Sequence, residues 1–219
     1  MAPDQQHPIQ IQPHPELECV AFDSDFSEPL SEIPSPSWLS ELLQLEAETP
    51  LDRSEELRLA VRHMLRVGGY KPAGRGKPAS EYLLKAAGQG SLSSINLPVD
   101  ICNVVSLHSG FPVSVIDLAK GIEPFEIRYG EENEEYIFNA SGQVIRIGGL
   151  LCLCDGAGPC ANAVKDAQRT KTDTTTTRTL SVVWGVRYFS EHLRETDTWY
   201  RSLIERTGGK TARVALTKA

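Results

Sequence analysis

The sequence has no apolar run approaching the ~20 residues that a membrane-spanning helix needs, so no membrane partner is expected. Its first residues, MAPDQQHPIQIQPHPE, contain neither a basic stretch nor an apolar one. That argues against a secretory signal and makes the cytoplasm the expected location. A disulfide framework is missing too. The cysteines are Cys19, Cys102, Cys152, Cys154 and Cys160. An odd number without a secretory signal reads as buried or free thiols. Cys152 and Cys154 alternate with leucines in GLLCLCD, which puts both sulfurs on one face of a strand, as small core residues. The histidines, at positions 7, 14, 63, 108 and 192, form no ligand-spaced pair, so no metal site is expected. No cofactor is expected either. The AGRGK stretch at 73–77 lacks the glycine–lysine spacing of a phosphate-binding loop, and Pro78 stands where its hydroxyl would be. There is no G-x-S-x-G elbow for a nucleophilic serine. A basic excess is also absent. The net charge of −7 excludes a broad, non-specific nucleic-acid binder but leaves room for a local basic surface.

What is present is enough for one sizeable core: 219 residues, 40% of them hydrophobic. The Pro/Gln-rich residues 1–16 read as a disordered tail, residues 17–208 as one domain, and residues 209–219 as a basic, fraying tail. Ser37 to Glu46 carries a helical stripe behind a serine cap. A second helix starts near Asp52, with Leu57, Ala60, Val61, Met64 and Leu65 at three- and four-residue steps, and closes at Gly68–Gly69. A short third helix starts at Ser80. A fourth starts around Pro98, a position that tolerates proline, and its apolar band is wide enough to imply burial on several sides. From Val113 the period changes to that of a strand. The remaining sequence is β-rich: Phe125–Tyr129, a hairpin around NASGQ, strands at Leu150–Cys154 and Leu180–Val183, and a hairpin partner at Ala161–Val164. A last helix runs from Ser190 to about Thr207. Helices first and strands later predict an α+β domain, its helical N-terminal half packed on a mainly antiparallel sheet.

The segment Ile95–Asp117 concentrates polar residues inside an apolar helical pattern. Such groups need partners. Asn103 can hold a carbonyl and an amide together, as an aminoacyl ligand requires, or can satisfy a loop backbone instead. Asp100 shares a helix face with it, or is a first-turn acid favoured by the helix dipole. Ser114 and Asn162, the latter in ANAVKD, complete the candidate ligand pocket. Cys102, in an apolar helix, is read as packing rather than as a nucleophile. A candidate RNA-binding surface is Arg62, Arg66, Lys71, Arg75 and Lys77, in a stretch without acids; a solvated helix end is the alternative. Arg169 and Lys171, among hydroxyls, suit an anion, or simply a solvated loop.

The same segment resembles the B3/B4 region of the phenylalanyl-tRNA synthetase beta chain. There a helix reading roughly VD-x-x-N precedes a Gly-x-Pro turn and a strand ending in Asp. The matching residues here are Val99, Asp100, Asn103, Gly110, Pro112 and Asp117, and the similarity extends from about Leu57 to Trp184. The resemblance implies an α+β, B3/B4-like fold with an editing pocket that hydrolyses tyrosine wrongly attached to the phenylalanine tRNA. It implies tRNA or aminoacyl-tRNA as partner; a free amino acid or related metabolite is the alternative. The pattern departs in places. Cys102 replaces the threonine before the asparagine, Ser114 replaces a histidine, ANAVKD lacks a glycine pair, and Val183–Trp184 stands where a glutamate reads the tyrosine hydroxyl. An RNA-binding or trans-editing domain with weak or no tyrosine editing is therefore expected.

Overall fold

The computed structural model describes residues 7–219. Two strands come first, β1 (Ile9–Ile11) and β2 (Leu17–Asp25), then four helices: α1 (Ser37–Leu42), α2 (Glu55–Arg66), α3 (Ala79–Gly88) and α4 (Leu97–Ser109). Next come β3 (Val113–Asp117), β4 (Phe125–Tyr129), β5 (Glu135–Ile137), β6 (Val144–Arg146), β7 (Leu151–Asp155), β8 (Gly158–Asn162) and β9 (Arg178–Val186). The chain ends with α5 (Ser190–Arg206), β10 (Lys210–Arg213) and β11 (Leu216–Lys218). The architecture is α+β. One sheet has the order β11-β1-β4-β7-β8, a second β10-β2-β9-β3, and β5-β6 form a separate ribbon. Only β1 is paired in parallel, with β4 and β11; every other strand pair is antiparallel.

Local chemistry sets the helix ends. Ser54 caps α2 by accepting from Leu57 N at 3.0 Å, and Asn96 caps α4 by accepting from Val99 N at 3.3 Å. Pro98 sits in the first turn of α4, where its missing N–H costs nothing. Gly110 ends α4 in the left-handed region at φ 81°, a conformation that side chains other than glycine resist. A side chain there would also press on Leu57 and Arg53. The α4 helix is buried almost throughout because it packs on α1, α3, α5 and β3 together. Trp184, Tyr200, Phe22, Phe111 and Phe125 are the largest fully buried side chains. Phe22 meets Tyr200 edge-on, with ring centroids 4.7 Å apart.

Two expectations need correction. The expected tail at 1–16 is structured from His7 onward; positions 1–6 lie outside the described residues. Ile9 is fully buried between β4 and β11, and His7 Nε2 lies 3.0 Å from Asp23. His14 is buried, and its Nδ1 accepts from Glu16 N and Leu17 N at 3.0 and 2.9 Å. Burial holds its pKa below the usual histidine value. The 209–219 tail does not fray either. It supplies β10, paired with β2, and β11, paired with β1. The N-terminal half is thus not purely helical. β2 lies between β10 and β9, and its nine residues register with β9 from Leu17↔Val186 to Asp25↔Arg178.

Replacing Ile9 with alanine removes a buried side chain that joins three strands, and should cost about 2–5 kcal/mol. Urea unfolding of the variant and the parent measures this. A loss below about 0.5 kcal/mol would mean that β1 is not part of the cooperative core.

Candidate functional site

A groove of about 990 Å³ opens between the 70–79 loop with α3 on one side and the β5–β6 ribbon on the other. Asn103 of α4 and Val113 of β3 contribute to its lining, as do Val164 and Lys165 after β8. Tyr70, Tyr82 and Phe138 bring aromatic surface to it. Three cations also line it: Arg75 from the loop, Arg146 from β6 and Lys165. No aspartate or glutamate does. In a protein of net charge −7, this groove is therefore locally positive.

The ribbon is fixed to the body by polar contacts. Asn162 is buried and donates through Nδ2 to the Tyr136 hydroxyl. Tyr136 in turn donates to Lys165 O at 2.5 Å. Asn162 Oδ1 accepts from Val164 N and Lys165 N at 2.8 and 2.9 Å, which closes the turn that carries Lys165. Lys171 Nζ donates to Phe138 O at 2.6 Å at the far end of the ribbon. Lys165 Nζ stands 3.9 Å from the centre of the Phe138 ring, a cation–π contact. Burial, and then the charge of Arg75, holds the Lys165 pKa below the usual lysine value.

Behind the groove lies a second network. Ser114 Oγ accepts from Trp184 Nε1 at 2.9 Å and donates to Asp166 Oδ1 at 2.7 Å. The same carboxylate oxygen accepts from Asn162 N at 3.2 Å. Asp166 keeps some accessible surface as a residue, but its carboxyl is enclosed, and burial pushes its pKa up to about 6.

The candidate residues fall into different places. Asn103 lines the groove, and its carboxamide makes no hydrogen bond among the described residues. Asp100 does not line it. Its carboxylate accepts from Ser35 Oγ and Ser94 Oγ at 2.5 Å each and from Ile95 N at 2.8 Å, pinning loops before α1 and α4. The acid of the first turn is thus consumed by local donors. Ser114 and Asn162 do not reach the groove surface either, because the two networks above use them.

The basic residues divide as well. Arg62 donates from Nε and a terminal nitrogen to both Glu81 oxygens, at 2.5 and 2.6 Å, and so joins α2 to α3 instead of facing a ligand. Arg66 and Lys71 are exposed, Lys77 is half-buried, and Arg75 lines the groove. Arg169 is not free to take an anion. It grips both oxygens of Asp155 at 2.8 and 2.6 Å and the Gly158 carbonyl at 2.7 Å. Lys171 is occupied by Phe138 O. Nothing in the sequence marks Arg146 and Lys165, because they converge only when the ribbon folds over the turn after β8. All the cysteines are buried thiols. Burial pushes Cys19 and Cys154 up to about 12 and raises Cys102, so none is a nucleophile near neutral pH. Among the described residues, no helix is long and apolar enough to cross a membrane.

A family model described as "B3/4 domain" matches residues 72–199, more than half of the chain. A phenylalanine–tRNA ligase beta subunit from Haemophilus influenzae strain Rd is 26% identical over 129 residues, 59% of this chain and 15% of that protein. The same subunit from strain 86-028NP is 26% identical over 128 residues, 58% of this chain and again 15% of the relative. Among solved structures, an N-terminal fragment of the phenylalanyl-tRNA synthetase beta-subunit from Pyrococcus horikoshii shares the fold. Its TM-score is 0.50 at 10% identity, over 96% of this chain and 52% of that one. Trp184 donates its indole N–H to Ser114 Oγ inside the protein.

The raised Asp166 pKa has a sign that can be tested. The folded state holds the proton more tightly than the unfolded chain, so this group favours folding at low pH. That contribution is lost as pH rises from about 4 to about 6. Asp166→Asn keeps the acceptor and removes the titration. Its unfolding free energy should lack that downward slope, and the variant should be more stable relative to the parent at pH 7 than at pH 4. An identical pH dependence in both proteins would refute the assignment.

Proposed function

The chain belongs to the B3/4 domain family, and on that premise we propose that it binds RNA, with the 3′ end of a tRNA received in the groove over Asn103. The observation that carries this reading is the lining itself. Three cations without a carboxylate suit a phosphate-bearing ligand. Tyr70, Tyr82 and Phe138 offer faces on which bases can stack. Asn103, free of protein partners among the described residues, can meet the carbonyl or amide of an attached acyl group. Arg66, Lys71 and Lys77, outside the groove lining, extend the positive surface for the adjoining backbone. The relatives it matches are named as tRNA ligase subunits, and the chain covers 15% of their length, so no aminoacylation is inferred. A cytoplasmic location accords with such a ligand.

Within this reading the chemistry open to the groove is hydrolysis of an aminoacyl ester, in trans. Its lining offers no serine, threonine, cysteine, histidine or carboxylate. A deacylase here would therefore depend on water held by Asn103, with Lys165 beside the developing oxyanion. Tyrosyl ester on the phenylalanine tRNA should be cleaved weakly or not at all, since no group reads the phenol. The alternative ligand, a free amino acid, is less well served: its ammonium would meet cations and no carboxylate.

Binding of tRNA across a salt series tests the proposal. Arg75→Ala with Lys165→Ala should weaken binding about tenfold or more and flatten the salt slope by roughly 0.7 for each phosphate no longer neutralised. A mischarged-tRNA deacylation screen with Asn103→Ala as control tests the chemistry. Unchanged affinity and slope would remove the groove from the RNA interface. No tRNA binding at all would favour the small-molecule reading.

A further inference from the structure

The charge of the groove restricts what the RNA end can carry. Resting on the RNA-binding reading above, we propose that the groove selects an acyl group whose α-nitrogen bears no positive charge. Its preferred ligand is an N-acylated aminoacyl ester at an RNA 3′ end, rather than an ester with a free α-ammonium.

Three observations support this. A free α-ammonium placed over Asn103 would share the groove with Arg75, Arg146 and Lys165 and find no carboxylate in the lining to pair with. Acids beside lining residues in sequence or register are otherwise placed. Glu81, next to Tyr82, is held by Arg62. Asp166 is engaged by Ser114. Glu135 stands opposite Arg146 across the ribbon without lining the groove. Tyr70 and Tyr82 line the groove without supplying a carboxylate. Second, the groove already disfavours one ammonium, since burial first, and then the positive charge of Arg75, work against protonation of Lys165. An α-amino group, with an ordinary pKa near 8, would feel the same field and lose its proton more readily. Third, the neutral polar groups present accept or donate without demanding charge. Asn103 can take an amide N–H or its carbonyl as readily as an amine. A volume of about 990 Å³ is also at the top of the range for drug-sized ligands, with space for an acyl extension.

The test uses the full chain and two CCA-ended RNA hairpins. One carries phenylalanine on a 3′-amino-3′-deoxyadenosine, the other N-acetylphenylalanine by the same amide link, which does not hydrolyse. At pH 6 the acetylated hairpin should bind about tenfold tighter, the effect of one like-charge contact at roughly 6 Å in partly hydrated surroundings. At pH 9 the free amine is uncharged and the gap should close to within about threefold. Arg75→Glu, on an exposed loop, supplies the missing carboxylate and should abolish or reverse the preference at pH 6. Lys165→Gln, which removes one cation without adding an acid, should narrow it. The readout is the ratio of the two affinities, so a general loss of RNA affinity does not affect it. Equal affinities at pH 6, or tighter binding of the free amine, would overturn this inference and leave RNA binding standing. Failure of both hairpins to bind would overturn it together with the RNA reading.

Discussion

The groove hangs on the side chain of Asn162. One carboxamide joins three parts of the chain: its oxygen takes two backbone N–H groups of the 164–165 turn, and its nitrogen reaches the hydroxyl of Tyr136 in the ribbon. Without it, the ribbon bearing Phe138 and Arg146 would be tied to the turn bearing Lys165 only by the Tyr136 hydroxyl on Lys165 O and by the Lys165–Phe138 contact. The two-stranded β5–β6 ribbon has little stability of its own. Ile137 and Val144, directly opposite each other, are each 49% exposed, so apolar burial contributes only part of its attachment. The polar staple supplies the rest, and it works because Asn162 and Tyr136 sit where water competes poorly.

Electrostatics complete the site. The protein is acidic overall, and many of its basic side chains are committed to carboxylates: Arg62 to Glu81, Arg128 to Glu134, Arg169 to Asp155, Arg213 to Asp197. Among the described residues, the cations of the groove are left without such partners. Packing like charges beside one another is unfavourable in the free protein. A bound polyanion relieves that repulsion, which is a direct physical reason for phosphate to be attracted there.

Much of the fold was readable along the chain. The first-turn proline and terminal glycine mark α4, and the change of period at Val113 marks β3. The junction that bears Asn103 was therefore visible. The outer strands were not. Ile9–Ile11 is three residues between proline-containing segments, and it is a strand only because β4 and β11, distant in sequence, pair with it. Composition suggests disorder there, and tertiary pairing overrides it. β2 does alternate at Leu17, Cys19 and Ala21, but its role as a central strand depends on β9 and β10. For the site, residue type was a poor guide to partners. Asp100, Ser114, Asn162, Arg62 and Arg169 look like ligand contacts in the sequence. Each has at least one partner from another element of the fold, at a spacing no local pattern encodes. Arg146 and Lys165 were hidden for the converse reason, since nothing near them in sequence announces the space they share.

The proposed binding mode puts an RNA 3′ end over Asn103, between the loop of Arg75 and the ribbon. The most direct measurement is a crystal structure of the protein with a CCA-ended RNA hairpin. The account predicts density for the terminal nucleotide in the groove, a phosphate within reach of Arg75 or Lys165, and the acceptor ribose facing Asn103. A well-ordered 3′ end elsewhere on the surface, with the groove empty, would contradict it.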